Sequence, residues 1–329
     1  MSTLKMPSAM QSYVDQTLAN PSIVQARQIL AYPTVSSFIA GGIAGAVSRT
    51  VVSPFERMKI IFQIQGPGSA AYEGVVHTLL KMWREEGWRG FMRGNGVNCI
   101  RIVPYSAVQF SSYTVMKKWV LETKNVTSLN AGERLIAGSI AGVASVAVTY
   151  PLDIVRTRLS IQTASIPNLK EHYASLGQKP PGIVQVTKQI YRTEGGIFGL
   201  YRGIIPTTMG VAPYVGINFA VYEYVRELFI SPGEADPSAL GKLASGAIAG
   251  AVAQTLTYPF DVLRRRFQVV SVDSLGFKYN SVWHALSTIV KKEGVPGLYK
   301  GLSANLLKVV PSMAASWLSF EFIRDVLEL

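Results

Sequence analysis

Three prolines, Pro54, Pro151 and Pro259, each precede an acid by two residues and a base by five: Glu56 and Lys59, Asp153 and Arg156, Asp261 and Arg264. On a helix these offsets put acid and base on one face. The chemistry this offers is ion pairing rather than bond making. Read singly, each is a local i,i+3 pair worth a few tenths of a kcal/mol; read together, they are three matched charges for an assembly. Three further bases, Arg49, Arg101 and Lys308, sit within apolar stretches. Ionisable groups in such stretches face wet cavities and mark solute pathways. No nucleophile elbow, Walker loop or dinucleotide fingerprint is present, so the chain is not read as an enzyme. His77, His172 and His284 are far apart, and Cys99 is the single cysteine, so neither a metal site nor an internal disulfide is expected.

The elements that must position these groups recur. Each proline follows a glycine by thirteen residues (Gly41, Gly138, Gly246) and another by nine (Gly45, Gly142, Gly250). Downstream come "EGWRGFMRG", "EGGIFGLYRG" and "EGVPGLYKG", and ten residues past the last glycine of each stands Pro104, Pro213 or Pro311. The chain is therefore a threefold repeat. Its expected parts are an N-terminal tail at 1–34 and repeats at 35–121, 131–229 and 239–328.

Each repeat holds two long apolar stretches, near 35–53 and 102–116, 135–152 and 204–222, and 243–260 and 302–320. About 20 apolar residues in a helix cross a bilayer. The fold expected is an all-α membrane protein of six transmembrane helices in three pseudo-threefold two-helix repeats. Each repeat carries a short amphipathic helix on the interior side, near 72–87, 182–194 and 279–293. Composition agrees: 48% of residues are hydrophobic and 16% charged, with mean hydropathy +0.24, against about 25% charged in soluble chains. A net charge of +12 also suits nucleic-acid binding, but no basic helix or nucleic-acid motif accompanies it. The loops at 55–94, 153–203 and 261–301 carry 20 of the 32 Lys and Arg residues, which places them in the interior compartment. The first 34 residues have neither a secretory h-region nor an Arg-rich amphipathic character, so targeting information is expected within the repeats.

P-x-[D/E]-x-x-[K/R] three times, each followed by "EG" and a basic-Gly turn, resembles the mitochondrial carrier family of solute transporters across residues 35 to 328. Ile61 replaces the second base of repeat 1, and Met92 its aromatic. The resemblance implies an inner-membrane, multi-pass, functionally monomeric transporter, with repeat loops in the matrix and termini in the intermembrane space. It implies an interior gate in which Glu56 meets Arg156, Asp153 meets Arg264 and Asp261 meets Lys59, braced by Gln63 and Gln268. Ser160 replaces the glutamine of repeat 2. "YEYVR" and "FEFIR" resemble the outer gate, with Glu223, Arg226, Glu321 and Arg324. "YTVMK" supplies Lys117 but has Thr114 where the acid belongs, so at most two outer pairs can form. The turns at Gly94, Gly203 and Gly301 expose helix N-termini that suit anionic lipid, cardiolipin in this family, or act as plain caps. No cofactor is expected.

Arg101, Gly210 with Val211, and Lys308 register with the family's substrate contact points, and Arg49 adds a third cation. Three cations suit phosphate or sulfate groups. The Gly210–Val211 pair accompanies adenine-containing substrates in the family, and Tyr214 is placed to stack on the ring or to pack the helix. "GGIAGAVSRTVVSPFERMK", "GNGVNCIRIVPYSAVQF", "KPPGI" and "YPFDVLRRRFQV" resemble the carriers of adenosine 5′-phosphosulfate and 3′-phosphoadenosine 5′-phosphosulfate. Carriers of coenzyme A and of ATP-Mg/phosphate share much of the cavity and remain alternatives, the latter usually with a calcium-binding tail that is missing here. A proton-leak uncoupler or passive channel is the alternative of another class; dependence of uptake on internal substrate separates them.

Overall fold

The computed structural model describes residues 33–66, 74–164, 181–230, 236–272, 275–277 and 279–328. His172, most of the expected tail and the start of "KPPGI" lie outside the described residues. The chain divides into two compact units: residues 49–312, and residues up to 48 together with those from 313. The cavity and the three cross-repeat ion pairs described below belong to the first unit.

Among the described residues every regular element is helical. Repeat 1 has α1 (Pro33–Val51), α2 (Ser53–Ile64), α3 (Val75–Phe91) and α4 (Asn95–Lys124). Repeat 2 has α5 (Ala131–Ile161), α6 (Ile183–Thr193), the single turn α7 (Ile197–Leu200) and α8 (Ile204–Leu228). Repeat 3 has α9 (Ala239–Gln268), α10 (Val282–Glu293), a 3-10 turn at Val295–Tyr299, α11 (Leu302–Leu307) and α12 (Val309–Glu328). The first helix begins at Pro33, within the tail expected at 1–34.

The motif prolines act differently in the three repeats. Pro151 and Pro259 lie inside continuous helices, whereas Pro54 sits in the first turn of a new helix after a break at Val52. A proline in a first turn forfeits no intrahelical bond. Three long helical segments, Ala131–Ile161, Ile197–Leu228 and Val295–Val326, are apolar enough on average to cross a membrane. The other three expected spans lie on α1, α4 and α9, where small and polar residues dilute the average. Large apolar side chains such as Phe110, Trp119, Ile136, Ile205 and Leu256 point outward on the long helices, as lipid-facing residues do.

Each short amphipathic helix lays an apolar face on a helix that carries a motif acid and base. Met82 and Phe91 pack with Met58, Ile61 and Phe62. Val186 and Ile190 pack with Ile154, Val155 and Leu159. Ala285 and Ile289 pack with Leu263. Burial of each such side chain contributes roughly 1.5–3 kcal/mol, enough to hold the gate-bearing ends in place.

Candidate functional site

The three motif acids each meet a base from another repeat. Glu56 pairs with Arg156. Asp153 pairs with Arg264, at 2.5 Å, and Asp261 with Lys59, at 2.8 Å. The links run cyclically, repeat 1 to 2, 2 to 3 and 3 to 1. The local i,i+3 alternative does not describe the structure.

The acids have more partners than the motif supplies. Glu56 also accepts from Arg49 at 3.1 Å, Lys308 at 3.2 Å and Asn98 at 3.0 Å. Asp153 accepts from Arg101 at 2.8 Å, Arg265 at 3.0 Å and Gln268 at 2.7 Å. Asp261 adds only Gln254, at 2.9 Å, while Lys59 also donates to Asn305 at 3.0 Å. The sequence reading separates gate charges from substrate cations; the structure joins them on two shared carboxylates. Arg265 escaped that reading because it stands one position beyond the motif base.

Below the acids lies a second cyclic set, in which Arg57 joins Arg158 and Arg266, the second bases of repeats 2 and 3. The Nε of Arg57 donates to the carbonyl of Ser160 at 2.8 Å, that of Arg158 to Gln268 at 2.9 Å, and that of Arg266 to Gln63 at 3.1 Å. Each guanidinium also holds the acid of its own "EG" turn: Arg57 with Glu86, Arg158 with Glu194 and Arg266 with Glu293. Ile61 therefore leaves no gap in repeat 1, since Arg57, one turn earlier, supplies the missing base. Glu293 ends the short helix α10. Burial alone would raise its carboxyl pKa, but hydrogen bonds from Arg266 and Lys300 outweigh that and hold it below the ordinary 4.5.

The glutamines are unequal. Gln268 reaches Asp153, Thr157 and, at 3.3 Å, the Tyr150 hydroxyl. Gln63 donates only to Tyr258, at 3.1 Å, and touches no gate charge. Ser160 turns back to the Arg156 carbonyl at 2.8 Å. Its hydroxyl is too short to reach the acids.

Gly94, Gly203 and Gly301 have φ of +79°, +83° and +85°, a region that favours glycine. A Cβ on them would lie 3.0–3.1 Å from the carbonyls of Arg156, Arg264 and Lys59 respectively. Each turn is thus pressed against the gate base of the next repeat. Of the motif glycines, Gly138 and Gly142 do admit a neighbour, facing Val215 and Val211, whereas Gly246 and Gly250 have nothing within 4 Å among the described residues. Small residues let helices approach closely, and these glycines do so in repeat 2 and not at Gly246 and Gly250.

A cavity of about 390 Å³ opens above the acids. Arg49, Arg101, Lys308, Gly210, Val211 and Tyr214 all line it, together with Arg265 and Phe260. Gly210 does not leave a free slot, because a Cβ there would sit 3.1 Å from Cβ of Phe260. The flat apolar surface is made by Gly210 and Phe260 together. Of the residues expected at the outer gate, Arg226 pairs with the loop acid Asp236, and Arg324, in the second unit, lies 3.5 Å from its neighbour Asp325. Lys117 and Glu223 are exposed and make no ion pair among the described residues.

Three two-helix repeats, with a charged cavity whose floor is crossed by ion pairs between repeats, define a membrane transporter and not an enzyme. The chain belongs to the mitochondrial carrier family, whose sequence description, "Mitochondrial carrier protein", matches residues 31–124, 127–233 and 235–329. It is 53% identical over 297 residues to an uncharacterized mitochondrial carrier of Saccharomyces cerevisiae, covering 88% of this chain and 91% of that one. It is 40% identical over 318 residues to a mitochondrial adenine nucleotide transporter of Arabidopsis thaliana, covering 88% and 86%. Against the mitochondrial carrier protein CoAc1 of Zea mays it is 39% identical over 297 residues, covering 88% and 86%.

Proposed function

We propose that the protein exchanges anionic adenine nucleotides across the mitochondrial inner membrane by alternating access, with adenosine 5′-phosphosulfate and 3′-phosphoadenosine 5′-phosphosulfate as its substrates. One observation carries this reading. Arg49, Arg101 and Lys308 line the cavity while bonded to the gate acids Glu56 and Asp153. An entering anion competes with those carboxylates for the same cations, so occupancy and gate opening are linked. A solute shifts such an equilibrium only through differential affinity for the two states. The Gly210–Phe260 surface beside Tyr214 offers an apolar place for a purine. The interior pairs are the matrix gate, and Lys117, Glu223, Arg226, Glu321 and Arg324 belong to the opposite one. In this reading the repeat loops lie in the matrix, the termini in the intermembrane space, and the carrier works as a monomer. The turns at Gly94, Gly203 and Gly301 hold cardiolipin by their helix N-termini.

Coenzyme A and unsulfated adenine nucleotides are the second reading, favoured by the adenine nucleotide transporter among the relatives. Exchange in liposomes separates the two. Protein reconstituted with internal adenosine 5′-phosphosulfate takes up the labelled compound, and inorganic sulfate competes weakly. Ready exchange of coenzyme A with no response to either sulfated nucleotide overturns the substrate assignment. Uptake independent of internal substrate overturns exchange itself.

A further inference from the structure

The cations of the cavity are not spread evenly over its acids. Around Glu56 stand Arg49, Arg156 and Lys308. Around Asp153 stand Arg101, Arg264 and Arg265. Asp261 has one ion-pair partner among the described residues, Lys59. Each of the first two clusters therefore holds two positive charges beyond what its carboxylate neutralises, and the third holds none. All six of these bases line the cavity, and one in each cluster is also the cross-repeat partner of its acid.

Accessibility separates the bases from the acids. The side chains of Arg49, Lys308, Arg101, Arg264, Arg265 and Arg156 keep 42%, 22%, 19%, 16%, 12% and 9% of their exposure, against 6% for Glu56 and 1% for Asp153. The carboxylates are sealed and the surplus cations are reachable. Buried charge without a counter-charge is costly, so the surplus awaits an anion. Arg265 is fixed for that role: its Nη1 also donates to Thr157 at 2.6 Å and Gln268 at 2.8 Å. Those bonds hold the guanidinium at the cavity floor.

We propose that the cavity contains two separate anion subsites of equal charge, one at Arg49 and Lys308 and one at Arg101 and Arg265, and that it selects solutes carrying two separated anionic groups. Arg265 is the specificity-determining residue of the second subsite. This rests on the adenylate reading above and narrows it. A phosphosulfate alone occupies one subsite. A nucleotide with a further phosphate monoester, which carries about −1.5 to −2 charge at neutral pH, occupies both. The 3′-phosphorylated sulfonucleotide is then the better ligand, and a second phosphate matters more than the sulfate.

The test compares adenosine 5′-monophosphate with adenosine 3′,5′-bisphosphate by calorimetric titration of the purified full chain. Hydrogen bonds to charged groups imply a preference for the bisphosphate of roughly tenfold or more. Arg265→Met and Lys308→Met should each bring the bisphosphate down to the monophosphate level, with a smaller loss for the monophosphate. Arg265→Lys should keep part of the preference. Equal binding of the two nucleotides by the wild type overturns the proposal, as does an equal loss of both in Arg265→Met. Should Arg265→Met not fold, Lys308→Met carries the same comparison. Fructose 1,6-bisphosphate separates the two claims. If it binds and neither adenylate does, the subsites stand and the adenylate reading falls; if none of the three binds, both fall.

Discussion

Arg57 holds both carboxylate oxygens of Glu86 at 2.8 Å while its Nε reaches the carbonyl of Ser160, more than a hundred residues away. The arginine is 1% exposed. One side chain thus ties the short helix α3 of repeat 1 to α2 and to repeat 2.

Arg57→Ala should cost about 3–5 kcal/mol, the usual effect of breaking a buried ion pair from one side. Thermal unfolding in detergent measures it. Arg57→Lys should recover only part, since lysine lacks the planar fork. An unfolding temperature of Arg57→Ala equal to that of the wild type would show that the link carries no stability.

Charge reversal should distinguish the shared acids from the unshared one. The double change Lys59→Asp with Asp261→Lys should restore part of the liposome exchange lost in each single variant. The double change Glu56→Arg with Arg156→Glu should restore less. A new arginine at position 56 would face Arg49 and Lys308, both now bonded to that acid. Better rescue at Glu56 than at Asp261 would contradict the sharing.

Gly94→Ala meets two obstacles, a φ of +79° and a Cβ 2.5 Å from the Ser160 hydroxyl. Strain of this kind costs about 1–3 kcal/mol. Adding Ser160→Gly should remove the side-chain clash but not the backbone penalty or the 3.0 Å approach to the Arg156 carbonyl. Unfolding temperatures should therefore rank wild type, then the double variant, then Gly94→Ala.

Gly210→Leu should lower stability before it alters selectivity, because its side chain runs into Phe260. Pairing it with Phe260→Ala should recover the fold and refill the surface with a different shape. Adenylate binding should then fall more than binding of fructose 1,6-bisphosphate. Equal losses for both solutes would argue against a purine surface at this place.

The depressed carboxyl of Glu293 sets an acid limit. A group with a lowered folded pKa stabilises above its unfolded value, and that contribution fades as pH falls through the folded pKa. Glu293→Gln should thus be less stable than the wild type at neutral pH and should lose less on acidification below 4.5. Parallel stability curves for the two proteins over that range would exclude the effect.

The sequence by itself determined the threefold repeat, the membrane-spanning character and the identity of the three acid–base motifs. Those features are periodic, and periodicity survives in one dimension: the proline, acid and base recur at fixed offsets whatever the fold does with them. The Glu56–Arg156, Asp153–Arg264 and Asp261–Lys59 partners were legible only through the family resemblance, since nothing in local spacing says which helix end faces which. Tertiary structure alone decided three things. It let Arg57 stand in for the base absent at Ile61, because one helical turn brings two different positions to the same place. It set Phe260 against Gly210, a contact between helices from different repeats. It also loaded Glu56 and Asp153 with further cavity cations while leaving Asp261 with Lys59 as its one ion-pair base among the described residues. Coulomb interactions act through distance in space, and the distances that unbalance the three acids exist only once the helices have packed.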